Sequence, residues 1–131
     1  MRAGEPLREA GIVSFATTAQ RPYVALATGP ISGGLILHLS LRDLLPEVIL
    51  SSNNVVDDID HVCQAETSIH LAERLGGRRD FIRCTLPDIL LGRAPAKLGD
   101  GRITVFSPFG LGILDLAVAI LACKRAREMS L

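Results

Sequence analysis

ILHLSLRDLLPEVILSSNNVVDD, residues 36 to 58, holds two apolar runs, each closing on charged or polar residues. Short continuous apolar runs are the pattern of strands buried in a parallel sheet, and the polar endings then mark its C-terminal edge. Open α/β sheets place their ligand sites at that edge. Working outward, residues 11–16 (GIVSFA) predict another buried strand, stopping at Thr17-Thr18, and residues 35–39 a second. Residues 48–50 and 55–56 predict short β-branched pieces separated by a turn at SSNN. Three strand-like pieces therefore end in polar pairs: Thr17-Thr18, Arg42-Asp43 and Asp57-Asp58. Arg21-Pro22 and Gly29-Pro30 punctuate the loop between the first two.

Beyond the opening stretch, Val62, Ala65, Ile69 and Ala72 recur at helical spacing and predict a helix over residues 60–75, stopped by Gly76-Gly77. Asp57, Asp58 and Asp60 suit its N-terminus. Residues 86–91 predict a short helix and residues 102–106 a strand. Residues 111–127 predict a helix apolar on nearly every side, with its basic residues in the last turn. Such a helix has to be buried by something.

The length of 131 residues fits one domain with a real core. Fourteen basic and fourteen acidic residues cancel, and the basic clusters Arg78-Arg79 and 124–127 are too short for a nucleic-acid footprint. Cys63, Cys84 and Cys123 are odd in number and lack a CxxC pair, which argues against a disulfide framework or zinc site and for a reducing, cytoplasmic compartment. The most hydrophobic window, 109–123, is too short for a bilayer, and the start MRAGEPLREA has no signal core. A hydrophobic content of 48% is rich for a small monomer and predicts an oligomer.

A dinucleotide fold needs G-x-G-x-x-G between its first strand and first helix, because only glycine lets the backbone approach the pyrophosphate. The nearest match, Gly110-Leu-Gly-Ile-Leu-Asp115, puts an aspartate where the last glycine belongs and leaves too little chain for a following strand. The better reading is that Gly110 and Gly112 permit close packing at a helix start, with Asp115 bonding its free amides. Asp57, Asp58, Asp60, His61 and Cys63 read as a solvated helix start rather than a metal cluster, since helical spacing points them apart. Glu66 and His70 read as a surface pair, and no serine has a GxSxG context. Arg42-Asp43, directly after an apolar strand, is different. The arginine can bind an anionic substrate while holding the acid ionised, although a plain loop ion pair also fits.

The runs SFATTAQRPYV, LHLSLRDLLPEVILSSNNVVDDIDHVCQAETSIHLAE, RDFIRCTLPDILLGRAP and ITVFSPFGLGILDLAVA resemble the C-terminal part of the ornithine cyclodeaminase and mu-crystallin family. Over about residues 9–127, the nearest branch is the dehydrogenase of N-(2-amino-2-carboxyethyl)-L-glutamate, which forms 2,3-diaminopropionate for siderophores and antibiotics. The resemblance implies a Rossmann domain binding NAD and a second domain that dimerises. It also implies that this chain enters at the fourth strand, with the glycine loop and three strands upstream of Met1. The expected fold is thus an incomplete Rossmann-type parallel α/β sheet: residues 1–76 its second half, residues 77–131 a C-terminal segment whose helix packs on it and on a partner.

The resemblance assigns Thr17, Thr18, Ala19, Ser40, Leu41, Ser107, Pro108 and Phe109 to the cofactor, and Asp43 with Arg42 to catalysis. Asp43 matches a catalytic aspartate, which would take a proton from the substrate nitrogen and then from water. No metal is expected. The reading is an NAD-dependent oxidoreductase acting on an amino-acid-derived substrate, the chain alone binding NAD weakly or not at all. The alternatives are a structural subunit, as a homo-oligomer or with a complementing N-terminal half, or a recruited nucleotide-independent enzyme using Asp43 and Arg42.

Overall fold

The computed structural model describes residues 10–25 and 33–129. The expected N-terminal segment and the Gly29-Pro30 turn lie outside them. Five strands, β1 (Ile12–Phe15), β2 (Leu35–His38), β3 (Asn53–Val56), β4 (Ile82–Thr85) and β5 (Thr104–Ser107), form one parallel sheet in the order β1-β2-β5-β3-β4. The helices are α1 (Pro46–Leu50), α2 (Ile59–Val62), α3 (Ser68–Gly76), α4 (Leu86–Leu90) and α5 (Gly112–Glu128).

The register aligns side chains in rows across the sheet. Val13 lies beside Ile36, Ile36 beside Val105, and Val105 beside Asn54; two residues on, Phe15 stands beside His38. Successive side chains of a strand alternate faces, so these rows share one side. There Phe15, Ile36 and Val105 join Val48 and Ile49 of α1 and Ile69 and Ala72 of α3 in the hydrophobic core. The polar second row, His38 and Ser107, therefore falls at the C-terminal edge of a packed face.

Several expectations change. Residues 48–50 are helix, not strand: Pro46 opens α1 at a position where its missing N–H costs nothing, and Glu47 follows in the first turn. Of the SSNN turn only the serines remain, since Asn53 and Asn54 belong to β3 and are buried. Their amides pair instead with Asp100 Oδ1 at 3.0 Å and with the carbonyls of Ile49, Ser52 and Phe81. β1 is an edge strand rather than a buried one, with Ile12 62% exposed. β4, unforeseen, closes the other edge.

The helix expected over 60–75 is two, broken at Ala65 and Glu66, whose φ angles are 52° and 54°. Asp58 caps α2 through the His61 amide, Thr67 caps α3 through the His70 amide, and Gly77 at φ 69° ends α3 as expected. Glu66 meets His70 through its backbone N–H, while its carboxylate pairs with Arg74.

The division at residue 76 does not hold either, because β5 sits in the middle of the sheet. Nor does α5 lay a side on the sheet: none of its residues is buried. Its start has no side-chain cap, so Asp115 does not bond the free amides. No described helix is long and apolar enough to cross a membrane.

Candidate functional site

The edge is organised around Asp43, which is 0% exposed. The backbone N–H groups of Tyr23 and Val24 both donate to its carbonyl at 2.9 Å, and Leu45 N–H returns to Val24 at 3.0 Å. From the other side, Ser68 at the start of α3 donates its N–H to Leu41 and its hydroxyl to Leu44. The loop after β2 is therefore clamped between the loop after β1 and the first turn of α3.

Three hydroxyls converge on the Asp43 carboxylate: Thr17 Oγ1 on Oδ1, Ser40 Oγ on Oδ2, and the phenol of Tyr23. His38 Nε2 stands 3.4 Å from Oδ2. Burial pushes the carboxyl up, but the Ser40 and Thr17 hydroxyls, with His38 and Tyr23, hold it net below the ordinary carboxylate range. Desolvation and the same carboxylate push the Tyr23 phenol up.

Arg42 does not pair with its neighbour. Its Nη2 donates to Ala65 O at 2.9 Å, against the left-handed turn between α2 and α3, and its Nε is buried without a partner. The expected loop ion pair is absent, and Asp43 has no full cation beside it.

Ser40 and Leu41 share a small cleft with His38, Ser107, Pro108 and Phe109. Its cavity volume of about 10 Å³ is far below the roughly 300–1,000 Å³ of ordinary small-molecule sites and has room for about one water. Thr17 reaches Asp43, whereas Thr18 and Ala19 lie further along the same loop, Ala19 N–H donating to Thr17 Oγ1 at 3.1 Å. A second carboxylate fixes the far wall. Asp57, at the end of β3, accepts the N–H groups of Asp58, Phe109 and Gly110, the last at 2.7 Å. It belongs to the loop architecture rather than to an acidic cluster. Asp60 pairs with Arg79, and burial, with Glu73, pushes the Cys63 thiol up to about 11. Among the described residues no group of His, Cys, Asp and Glu could hold a metal ion.

Sequence reasoning gave Thr17 and Ser40 to the cofactor and Asp43 to catalysis; the structure sets both hydroxyls on the Asp43 carboxylate, beside His38 and Tyr23, which that reasoning did not name. A polar residue inside the apolar run ILHLSL was the available signal for His38. Tyr23, the single tyrosine of the chain, carried none.

No family model and no curated protein matches the chain. Solved structures do. The Δ1-pyrroline-2-carboxylate reductase of Thermococcus litoralis, in complex with NADH and L-proline, superposes with a TM-score of 0.84 at 27% identity over 98% of this chain. The fold is that of the ornithine cyclodeaminase and mu-crystallin type. CmnK follows with a TM-score of 0.79 at 25% identity, also over 98% of this chain. A probable ornithine cyclodeaminase of Bordetella pertussis Tohama I, at 23% identity and a TM-score of 0.75 over 98% of this chain, shares the fold. The chain spans 42%, 39% and 43% of these three proteins, and its sheet corresponds to the C-terminal part of their Rossmann-like domain. Among these neighbours, one is a reductase holding NADH and L-proline and another a probable ornithine cyclodeaminase.

The residues that could meet the nicotinamide end of that cofactor stand at the rim of the cleft. Leu41, 41% exposed, and Phe109 offer apolar surface for a ring, with the hydroxyls of Ser40 and Ser107 beside it.

Proposed function

We propose that this chain belongs to the ornithine cyclodeaminase and mu-crystallin family and supplies the acid–base half of an NAD-dependent oxidation at an amino-acid carbon–nitrogen bond. The observation that carries the reading is Asp43: a fully buried carboxylate at the C-terminal sheet edge, held by neutral hydroxyls and, among the described residues, free of a paired cation. NAD, when bound, accepts the hydride. Ser40, Leu41, Ser107, Pro108 and Phe109 would hold its nicotinamide end, and Thr17, Thr18 and Ala19 would line the approach.

Asp43 takes the proton from the substrate nitrogen, because hydride departs only from a carbon whose nitrogen keeps its lone pair. Once that proton has passed to solvent, the carboxylate takes a second one from the water that adds to the resulting imine. Arg42, with its Nε unpartnered at the same edge, receives the substrate carboxylate. On the resemblance in sequence, the substrate is N-(2-amino-2-carboxyethyl)-L-glutamate, and the products are 2,3-diaminopropionate and 2-oxoglutarate.

Hydride transfer needs the reacting atoms about 3–3.5 Å apart, which so small a cleft does not secure. Activity is therefore expected only when the chain is combined with a polypeptide carrying a glycine-loop half. The test is NAD reduction by that mixture with the glutamate adduct, and with ornithine, proline and alanine as comparisons. Asp43→Asn should lower turnover by about a hundredfold or more, and Arg42→Lys should chiefly raise KM. Unchanged turnover in Asp43→Asn would remove Asp43 from the chemistry.

A further inference from the structure

His38, the last residue of β2, is 2% exposed, and both of its ring nitrogens are engaged. Nδ1 lies 3.2 Å from Ser107 Oγ, one position beyond the last paired residues of β2 and β5. Nε2 receives the backbone N–H of Asp43 at 3.3 Å. Nε2 also lies 3.4 Å from Asp43 Oδ2, but the backbone N–H is the nearer partner and can aim at Nε2 only if that nitrogen carries a lone pair, which assigns the single ring proton to Nδ1, facing Ser107.

We infer that His38 is a positioning residue for Asp43: a neutral imidazole whose Nε2 anchors the Asp43 backbone and whose Nδ1–H is received by Ser107. This role rests on the reading of Asp43 as the proton acceptor.

The surroundings agree. The titratable groups facing His38 and Asp43 among the described residues are each other and Tyr23, since Arg42 turns to Ala65. Burial also disfavours the imidazolium, outweighing the attraction of Asp43. The chemical benefit is specific. The hydroxyls and the uncharged ring keep the Asp43 carboxylate in its ionised, proton-accepting form without tying it to a paired cation. His38 further ties Asp43 to Ser107, whose following residues Phe109 and Gly110 hang on Asp57. The ends of β2, β5 and β3 are thereby joined in one polar chain, so the wall of the cleft and the base are held in register.

The test is long-range proton–nitrogen spectroscopy on the full chain with 15N-labelled histidine, between about pH 5 and 8. His38 should display a protonated Nδ1 and an unprotonated Nε2 at neutral pH, with a downfield Asp43 amide proton. His38→Gln offers a side-chain acceptor near the place of Nε2 and should keep that amide signal downfield. His38→Leu should lose it. Ser107→Ala, which leaves the ring in place, should turn the single tautomer into a mixture. An imidazolium at neutral pH, a proton on Nε2, or a wild-type tautomer unchanged in Ser107→Ala would overturn the assignment. Because none of these readouts needs turnover, the role of His38 and the proposed reaction can fail separately.

Discussion

At the scale of single residues the protein spends its polar groups on one carboxylate. Thr17 and Ser40 each bring a hydroxyl to Asp43, and each donor favours the ionised form. Ser40→Ala or Thr17→Ala should therefore raise the Asp43 pKa, read from the 13C shift of its carboxyl carbon; no change would remove that hydroxyl from the network. The same shifts govern stability in acid. The folded pKa of Asp43 lies below its ordinary value of 3.8, so its contribution is present above that pH and is lost as pH falls through the folded pKa. His38 is likewise depressed, from 6.5, because burial opposes its charge. The unfolded chain takes up that proton first, so stability begins to decline as pH drops below 6.5. Thermal melts of His38→Gln should lack the decline that starts near 6.5 and keep the one below 3.8.

At the scale of elements, the loops at the sheet edge are held by side chains that stand in for secondary structure. Asp57 holds the entry to α5 by accepting Phe109 and Gly110 N–H groups that no strand or helix satisfies. Asp57→Ala leaves partly buried donors unpaired and should cost about 2–3 kcal/mol, measurable by urea denaturation. Asp57→Asn, which keeps an acceptor, should cost less. The break between α2 and α3 follows the same logic. Ala65 and Glu66 accept left-handed backbone because Thr67 then caps α3 and Ser68 reaches the carbonyls of Leu41 and Leu44. A continuous helix would satisfy propensity and lose the brace on the Asp43 loop.

At the scale of the whole molecule, apolar surface stands uncovered. Parallel sheets are normally covered on both faces, yet Leu35, Leu37 and Phe106 are only half-buried and β1 is an open edge. On α5, Ile113, Leu114, Leu116, Val118, Ile120 and Leu121 are 54–67% exposed. Burying a leucine or isoleucine gives about 1.5–3 kcal/mol, so three or four suffice against the cost of association. We expect a homo-oligomer or a complex with a complementing half at about 100 μM in analytical ultracentrifugation, with Ile120→Asp shifting it toward monomer or aggregate. A well-folded wild-type monomer would refute this. By calorimetry the isolated chain should bind NAD no tighter than about 1 mM, since this sequence holds no G-x-G-x-x-G phosphate loop and its cleft is small. Micromolar binding would overturn that expectation.

The strands at residues 12–15 and 35–38, the stop at Gly77 and the helix over 112–128 were legible in the sequence. They rest on signals carried within a few residues: β-branched runs, a left-handed glycine, an uninterrupted apolar stretch. So was the place of Asp43, at the end of an apolar strand. What surrounds Asp43 was not. Thr17 stands 26 residues from it, Ser107 stands 69 from His38, and Gly110 stands 53 from Asp57. Those contacts exist because β5 inserts between β2 and β3. Strand order and register bring the edge residues into hydrogen-bond range, and both depend on how the faces pack rather than on any spacing along the chain. The helix at residues 46–50 makes the same point from the other direction. An apolar run that short suits strand or helix equally, and burial of Val48 and Ile49 beneath the sheet decided between them.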